Sequence, residues 1–158
     1  MFTRIDDFSS TWTRESTQTA RVLAELTDAS LGQRIAQGYR SLGDLAWHVV
    51  VSPRTIMRHA ALEFDAPDKT VPAPDRAAEL HSTYVDVAKS FLEAVRQTWS
   101  DGALLGTIDF YGREVTRGTA LSVLLHHEIH HRGQMTVLMR QAGLRVPGVY
   151  GPAREERG

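Results

Sequence analysis

The sequence predicts an all-α protein, a four-helix bundle with a short extended or hairpin segment between the third and fourth helices. Three observations predict it. Four stretches of about twenty residues carry apolar side chains at the three- and four-residue spacing of an amphipathic helix. Helix breakers fall between those stretches, most densely in APDKTVPAP. No internal repeat and no dividing linker interrupts the 158 residues, so one domain over 1–158 is expected.

The first helix is predicted from Ile5 to about Thr27, with Ile5, Phe8, Trp12, Ala20, Leu23 and Leu26 as its apolar positions and a polar, Thr-rich middle. Asp28 to Tyr39, containing Gly32 and Gly38, is read as a connection. Ser41 followed by Asp44 resembles a capping box and opens a second helix from about Leu42 to Phe64. Pro53 lies inside it. Either it kinks the helix near Val49 to Ser52, or Ser52 caps a fresh helix. After the proline-rich loop, Ala66 to Pro74, the third helix runs from about Pro74 to Trp99 along Leu80, Tyr84, Val87, Phe91, Leu92 and Val95. Ser100 to Gly102 is expected to stop it. Thr107 to Thr116 alternates and turns at Tyr111–Gly112, which reads as a short hairpin or extended crossover. The fourth helix is predicted from about Thr119 to Ala142, ended by Gly143 and Pro147. The tail beyond Pro152 is expected to fray.

The totals exclude several functions. A net charge of −1, from 18 basic and 19 acidic residues, gives no electrostatic hold on nucleic acid or on an anionic membrane. The chain has no cysteine, so a site must use nitrogen or oxygen ligands. No apolar run is long enough to span a bilayer, and the start, MFTRIDDFSS, has no signal-peptide core. A soluble, cytoplasmic protein is expected.

The chemistry is expected in HHEIHHRGQ, His126 to Gln134, where four of the seven histidines fall in six consecutive positions. Residues four apart stack on one helix face, giving two candidate metal-gripping pairs: His126 with His130, or His127 with His131. The face of His127 and His131 also carries Ala120, Val123, Leu124, Met135 and Leu138, a stripe read as buried. Imidazoles in such a stripe need a polar partner, and a shared metal supplies one. The plainer alternative is a solvated, His-rich helix. A catalytic-type centre commonly has three protein ligands and an open position, and His48, in the context LAWHVV, is the best third ligand.

The other residues have narrower readings. His59 lies eleven residues beyond His48, roughly 16 Å along a straight helix, and with His81 is read as structural or surface. Glu128 completes H-E-x-x-H, which supplies a general base in zinc peptidases, but no downstream ligand or adjoining sheet is visible. Glu128 is therefore expected to accept a bond from a ligand histidine or to sit on the surface. Arg132, on a helix edge read as exposed, is expected to steer an anionic substrate or to be solvated. Gly133 points to close packing or to space beside the site. Gln134 is a candidate partner for a ligand or bound water, and Tyr111 and Tyr150 are candidate phenols near the mouth. Glu128, Arg132 and Gln134 are the candidate catalytic residues.

The ordered set of Trp47–His48, then H-x-x-H-H-R-G-Q, then a G-x-x-x-P and Y-G-P tail resembles the DinB/YfiT-like family over nearly the whole chain. Carried over position by position, the family's three-histidine site falls on His48, His127 and His131. The resemblance implies a divalent ion, zinc or nickel, completed by water. It also implies a homodimer, for which Leu125 and Ile129 are candidate interface residues unless they pack within the bundle. Related branches include thiol-dependent transferases and isomerases, using a small thiol such as bacillithiol or mycothiol, and metal-dependent hydrolases. The resemblance thus implies a metalloenzyme acting on a small-molecule substrate, or a non-catalytic metal-binding protein.

Overall fold

The computed structural model describes residues 1–156 and is a bundle of four long helices, with one short helix and one hairpin inserted before the last. The long helices are α1 (Ile5–Ala24), α2 (Leu42–Met57), α3 (Ala77–Thr98) and α5 (Arg117–Gln141); α4 is Asp101–Leu105. Strands β1 (Thr107–Phe110) and β2 (Arg113–Thr116) pair antiparallel, Thr107 opposite Thr116 and Phe110 opposite Arg113.

Local chemistry explains these boundaries. Ser41 accepts from the Asp44 N–H while the Asp44 carboxylate accepts from the Ser41 N–H, so the expected capping box starts α2. The helix runs through Pro53 without restarting at Ser52. It ends at Met57, short of the expected Phe64, because the chain tightens into a 3-10 turn over Arg58–Ala60 and Ala61 turns left-handed at φ 50°. Likewise α3 starts at Ala77, after the prolines rather than at Pro74. Ser100 does not merely stop α3. Its hydroxyl accepts from the Ala103 N–H and caps α4. Tyr111 and Gly112, both at positive φ (54° and 78°), form the expected hairpin turn.

The core is aromatic at one end and polar at its middle. Trp12 packs edge-on against Phe91 with ring centroids 4.8 Å apart and donates its indole N–H to the Ala88 carbonyl at 3.0 Å. Phe8, Trp12, Glu15, Thr19 and Val22 form the buried stripe of α1, so a charged residue occupies a core position. The opposite face of that layer is the buried stripe of α5, which includes Leu121, Leu124, Leu125, Glu128, Arg132 and Met135. Leu125 belongs to the core and Ile129 packs against it, so both serve the bundle itself. Residues 154–156 of the tail form a 3-10 turn in which the Glu156 carboxylate accepts from the Gly148 N–H at 2.9 Å and Glu155 pairs with Arg140 at 3.0 Å. The rest of the tail's expected fraying falls on residues 157–158, outside those described. No helix among the described residues is long and apolar enough to cross a membrane.

Candidate metal centre

Three imidazoles from two helices converge at one point. His48 comes from α2, His127 and His131 from α5, and one ring nitrogen from each lies within 4.8 Å of the others. The Nε2 atoms of His48 and His127 are 3.0 Å apart, and those of His131 and His127 are 3.2 Å apart. Nitrogens bound at about 2.0–2.1 Å to one tetrahedral cation stand about 3.3 Å from each other. The spacing is that of a ligand set.

Proton counting leads to the same place. The second nitrogen of His131, Nδ1, lies 2.7 Å from the Gln134 Oε1. An amide oxygen only accepts, so Nδ1 carries the proton and the His131 Nε2 is a bare lone pair. A single proton on the His127 Nε2 cannot serve both neighbouring nitrogens. At least one of the two contacts is then left without a proton between its nitrogens, and a cation at the centre satisfies all three. The Nδ1 of His127 is buried without a hydrogen-bond partner among the described residues.

The electrostatics keep these rings neutral. Burial pushes His48 and His127 down to about 4, with the Arg40 guanidinium and the other imidazoles contributing. His131 is also lowered, chiefly by burial, and the Gln134 bond opposes the shift. Neutral imidazole is the form that binds metal.

Two clefts meet at this cluster. One, of about 490 Å³, is walled by His48 and His127 with Trp47, Val51, Phe110 and Tyr111. The other, of about 440 Å³, is walled by His131 and Gln134 with Tyr39, Leu45 and Val137. Arg40 lines both.

The remaining sequence candidates separate cleanly. His126 and His130 are exposed and lie outside the cluster. Gln134 is where a partner to a ligand was expected. Val123 is 39% exposed and lines the larger cleft, not the buried stripe. Glu128 and Arg132 are each only 2% exposed, which corrects both the surface reading of Glu128 and the exposed-edge reading of Arg132. Glu128 makes no bond to a ligand histidine among the described residues. Its Oε1 accepts from Thr19 at 2.7 Å and from Tyr84 at 2.5 Å, and burial raises its pKa. Arg132 donates to the Glu15 Oε2 at 2.7 Å and to its backbone carbonyl at 2.9 Å. Burial pushes the Glu15 carboxyl upward, but the bonds from Tyr150 and Arg132 outweigh it and leave the pKa lowered. Tyr150 is therefore no phenol at the mouth: its hydroxyl donates to Glu15 at 2.6 Å and accepts from Arg132 at 2.8 Å. Tyr111 does line the larger cleft, its ring tilted against that of His59 with centroids 4.2 Å apart. His59 is a packing residue, flanked also by Phe110 at 5.4 Å. His81, on α3, is half-buried and lies outside the cluster. Gly133 has nothing within 4 Å of where a Cβ would stand, so it marks open space rather than close packing.

Sequence reasoning missed Arg40, Glu15 and Thr19. The spacing of Phe8, Trp12, Glu15, Thr19 and Val22 is a 4-3-4-3 helical stripe, and that signal marks the two polar residues as core.

Known proteins fit this description. An uncharacterized protein of Bacillus subtilis (strain 168), YrdA, is 42% identical over 156 residues, covering 99% of this chain and 93% of its own. The crystal structure of a DinB-like protein from Bacillus cereus ATCC 10987 is 43% identical and superposes with a TM-score of 0.92, covering 95% of this chain and all of that one. A second DinB-like structure, YjoA of Bacillus subtilis, shares the fold at 16% identity, with a TM-score of 0.69 over 90% of this chain and 97% of that one. The DinB family model matches residues 1–157, and the chain belongs to the DinB family.

Proposed function

We propose that His48, His127 and His131 hold one divalent cation and that the protein is a metal-dependent transferase acting between a small thiol and a second small molecule. The nitrogen donor set suits zinc or nickel. When bound, the cation would lower the pKa of a thiol at its open position, as cations do for coordinated sulfur. Bacillithiol and mycothiol are the kind of cofactor meant, and isomerisation through a thiol adduct belongs to the same reading.

The observation that carries this reading is the pair of clefts sharing one histidine cluster. Two reactants need two binding spaces beside one reactive centre. The chain's own residues do the rest. His48 and His127 face one space and His131 the other, Gln134 holds the His131 ring in the metal-binding tautomer, and Trp47, Val51 and Phe110 give the larger space an apolar wall. A hydrolase using a metal-bound water is the alternative, and it needs a base. Glu128 is engaged with Thr19 and Tyr84, and Asp44, the one carboxylate among the described residues that lines the larger cleft, is held by Ser41 and Arg34.

The test is a conjugation screen on metal-loaded protein with electrophilic substrates, with and without an added low-molecular-weight thiol. Turnover that requires the thiol is expected. Turnover in thiol-free buffer overturns the reading in favour of hydrolysis. Tight metal uptake with no exchangeable position at the ion would leave a non-catalytic metal-binding protein.

A further inference from the structure

Arg40 stands where both clefts meet the histidines, and it has no ion-pair partner among the described residues. Its side chain is exposed, while the backbone around it is held in place. The backbone on one side is fixed by the bridge between Arg34 and Ser41. On the other side the Arg34 guanidinium binds the Tyr39 carbonyl and the Asp44 carboxylate. Asp44 is thereby occupied twice, by Arg34 at 3.2 Å and by the Ser41 N–H at 2.8 Å. The carboxylate lining the larger cleft is thus engaged by a different arginine. Lys69 lines the same larger cleft, also without an ion-pair partner among the described residues. Among the described residues lining the smaller cleft, Arg40 is the one that carries a charge.

The charge balance follows. Three neutral imidazoles bring no negative charge to a divalent cation, so a bound ion would keep its full charge, with Arg40 beside it. Such a region favours a ligand carrying negative charge in addition to its donor atom. The apolar walls, Val51, Ile56 and Phe110 on one side and Leu45 and Val137 on the other, take the rest of that molecule.

We propose that Arg40 is the anchor for a carboxylate or phosphate on the molecule held at the three histidines, and so sets the site's preference for anionic ligands. This rests on the metal reading above. Arg40 is a positioning and specificity residue, and its fork of donors suits a planar oxyanion.

The experiment uses the full chain loaded with cobalt, whose visible absorption changes when sulfur binds. N-acetylcysteine is compared with N-acetylcysteine amide, the same thiol without the negative charge. The wild type is expected to bind the carboxylate form about fivefold more tightly, the range of a partly exposed charge-assisted contact. Arg40→Gln should bring the two to parity, leaving cobalt content and the affinity for the amide unchanged. Arg40→Lys should keep part of the preference, and added salt should erode it. An undiminished preference in Arg40→Gln, no preference in the wild type, or no thiol-induced spectral change overturns the proposal while cobalt binding still stands. Failure of the wild type to take up cobalt overturns the metal reading, and this one with it.

Discussion

The Gln134 Oε1 accepts a hydrogen bond from the His131 Nδ1–H at 2.7 Å, and the orientation of that ring follows from the bond. Nothing else among the described residues bonds that nitrogen. Gln134→Leu keeps the helix and removes the acceptor. Metal affinity, read by competition with a chelator, should fall about tenfold or more, the usual scale for losing a partner of a ligand histidine. The thermal midpoint of the metal-free protein should stay where it was, since Gln134 is exposed. An unchanged metal affinity would show that the ring needs no such support.

Alanine at His48, His127 or His131 should each abolish stoichiometric metal by elemental analysis. Alanine at His126 or His130 should not, because both side chains are exposed and outside the cluster. If the exposed pair proves essential, the ion sits on the other edge of α5 and the geometry above is irrelevant to it.

Glu15 and Arg132 form a charged pair in which each member is 2% exposed. Removing Glu15 leaves the Arg132 guanidinium without an ion-pair partner among the described residues, and removing Arg132 leaves Glu15 only the largely exposed Arg14, at 3.2 Å. Arg132→Leu should destabilise the protein by about 3–5 kcal/mol in urea unfolding, with Glu15→Leu similar. The double replacement should cost clearly less than the sum. A loss below about 1 kcal/mol for Arg132→Leu would mean that water reaches the stranded carboxylate.

The metal-free protein should lose stability as pH falls from about 6.5 to about 4. His48 and His127 have folded pKa values pushed down to about 4 from 6.5. In that window the unfolded chain binds protons that the folded chain refuses, so folding weakens as protons are added. Above 6.5 their contribution is fully present, and below 4 it levels off. Glu128, whose pKa is raised, acts with the opposite sign. The check is therefore a comparison of wild type with a His48→Asn, His127→Asn double variant at pH 5 and pH 7. The variant should show the smaller pH dependence. Equal slopes would place the sensitivity elsewhere.

The helices, the hairpin turn and the three converging histidines were legible because each rests on local spacing or on a local cap. The orientation of α5 was read one step off. Hydropathy periodicity placed His127 and His131 with Val123 in a buried stripe, whereas the stripe's centre is Glu128 and Arg132. A charged residue looks like surface until its partner is found, and these partners, Thr19 and Glu15, lie 109 and 117 positions away in the chain. The histidines border the core and face the clefts, which suits a site that admits ligands better than the deep burial expected. The early end of α2 was invisible for a different reason. Ala61 adopts a left-handed conformation that its residue type does not announce.

Neighbouring residues on α5 look in different directions: His127 and His131 toward the clefts, Glu128 and Arg132 toward Thr19 and Glu15. One backbone segment thus serves two masters, separated by about 100° of rotation. A single-residue deletion just upstream would turn His127 and His131 onto the exposed edge that His126 and His130 now occupy, and swing the carboxylate and guanidinium into the clefts at once. Descendants of this chain can trade side chains along its clefts freely, but they cannot slip the helix by one place.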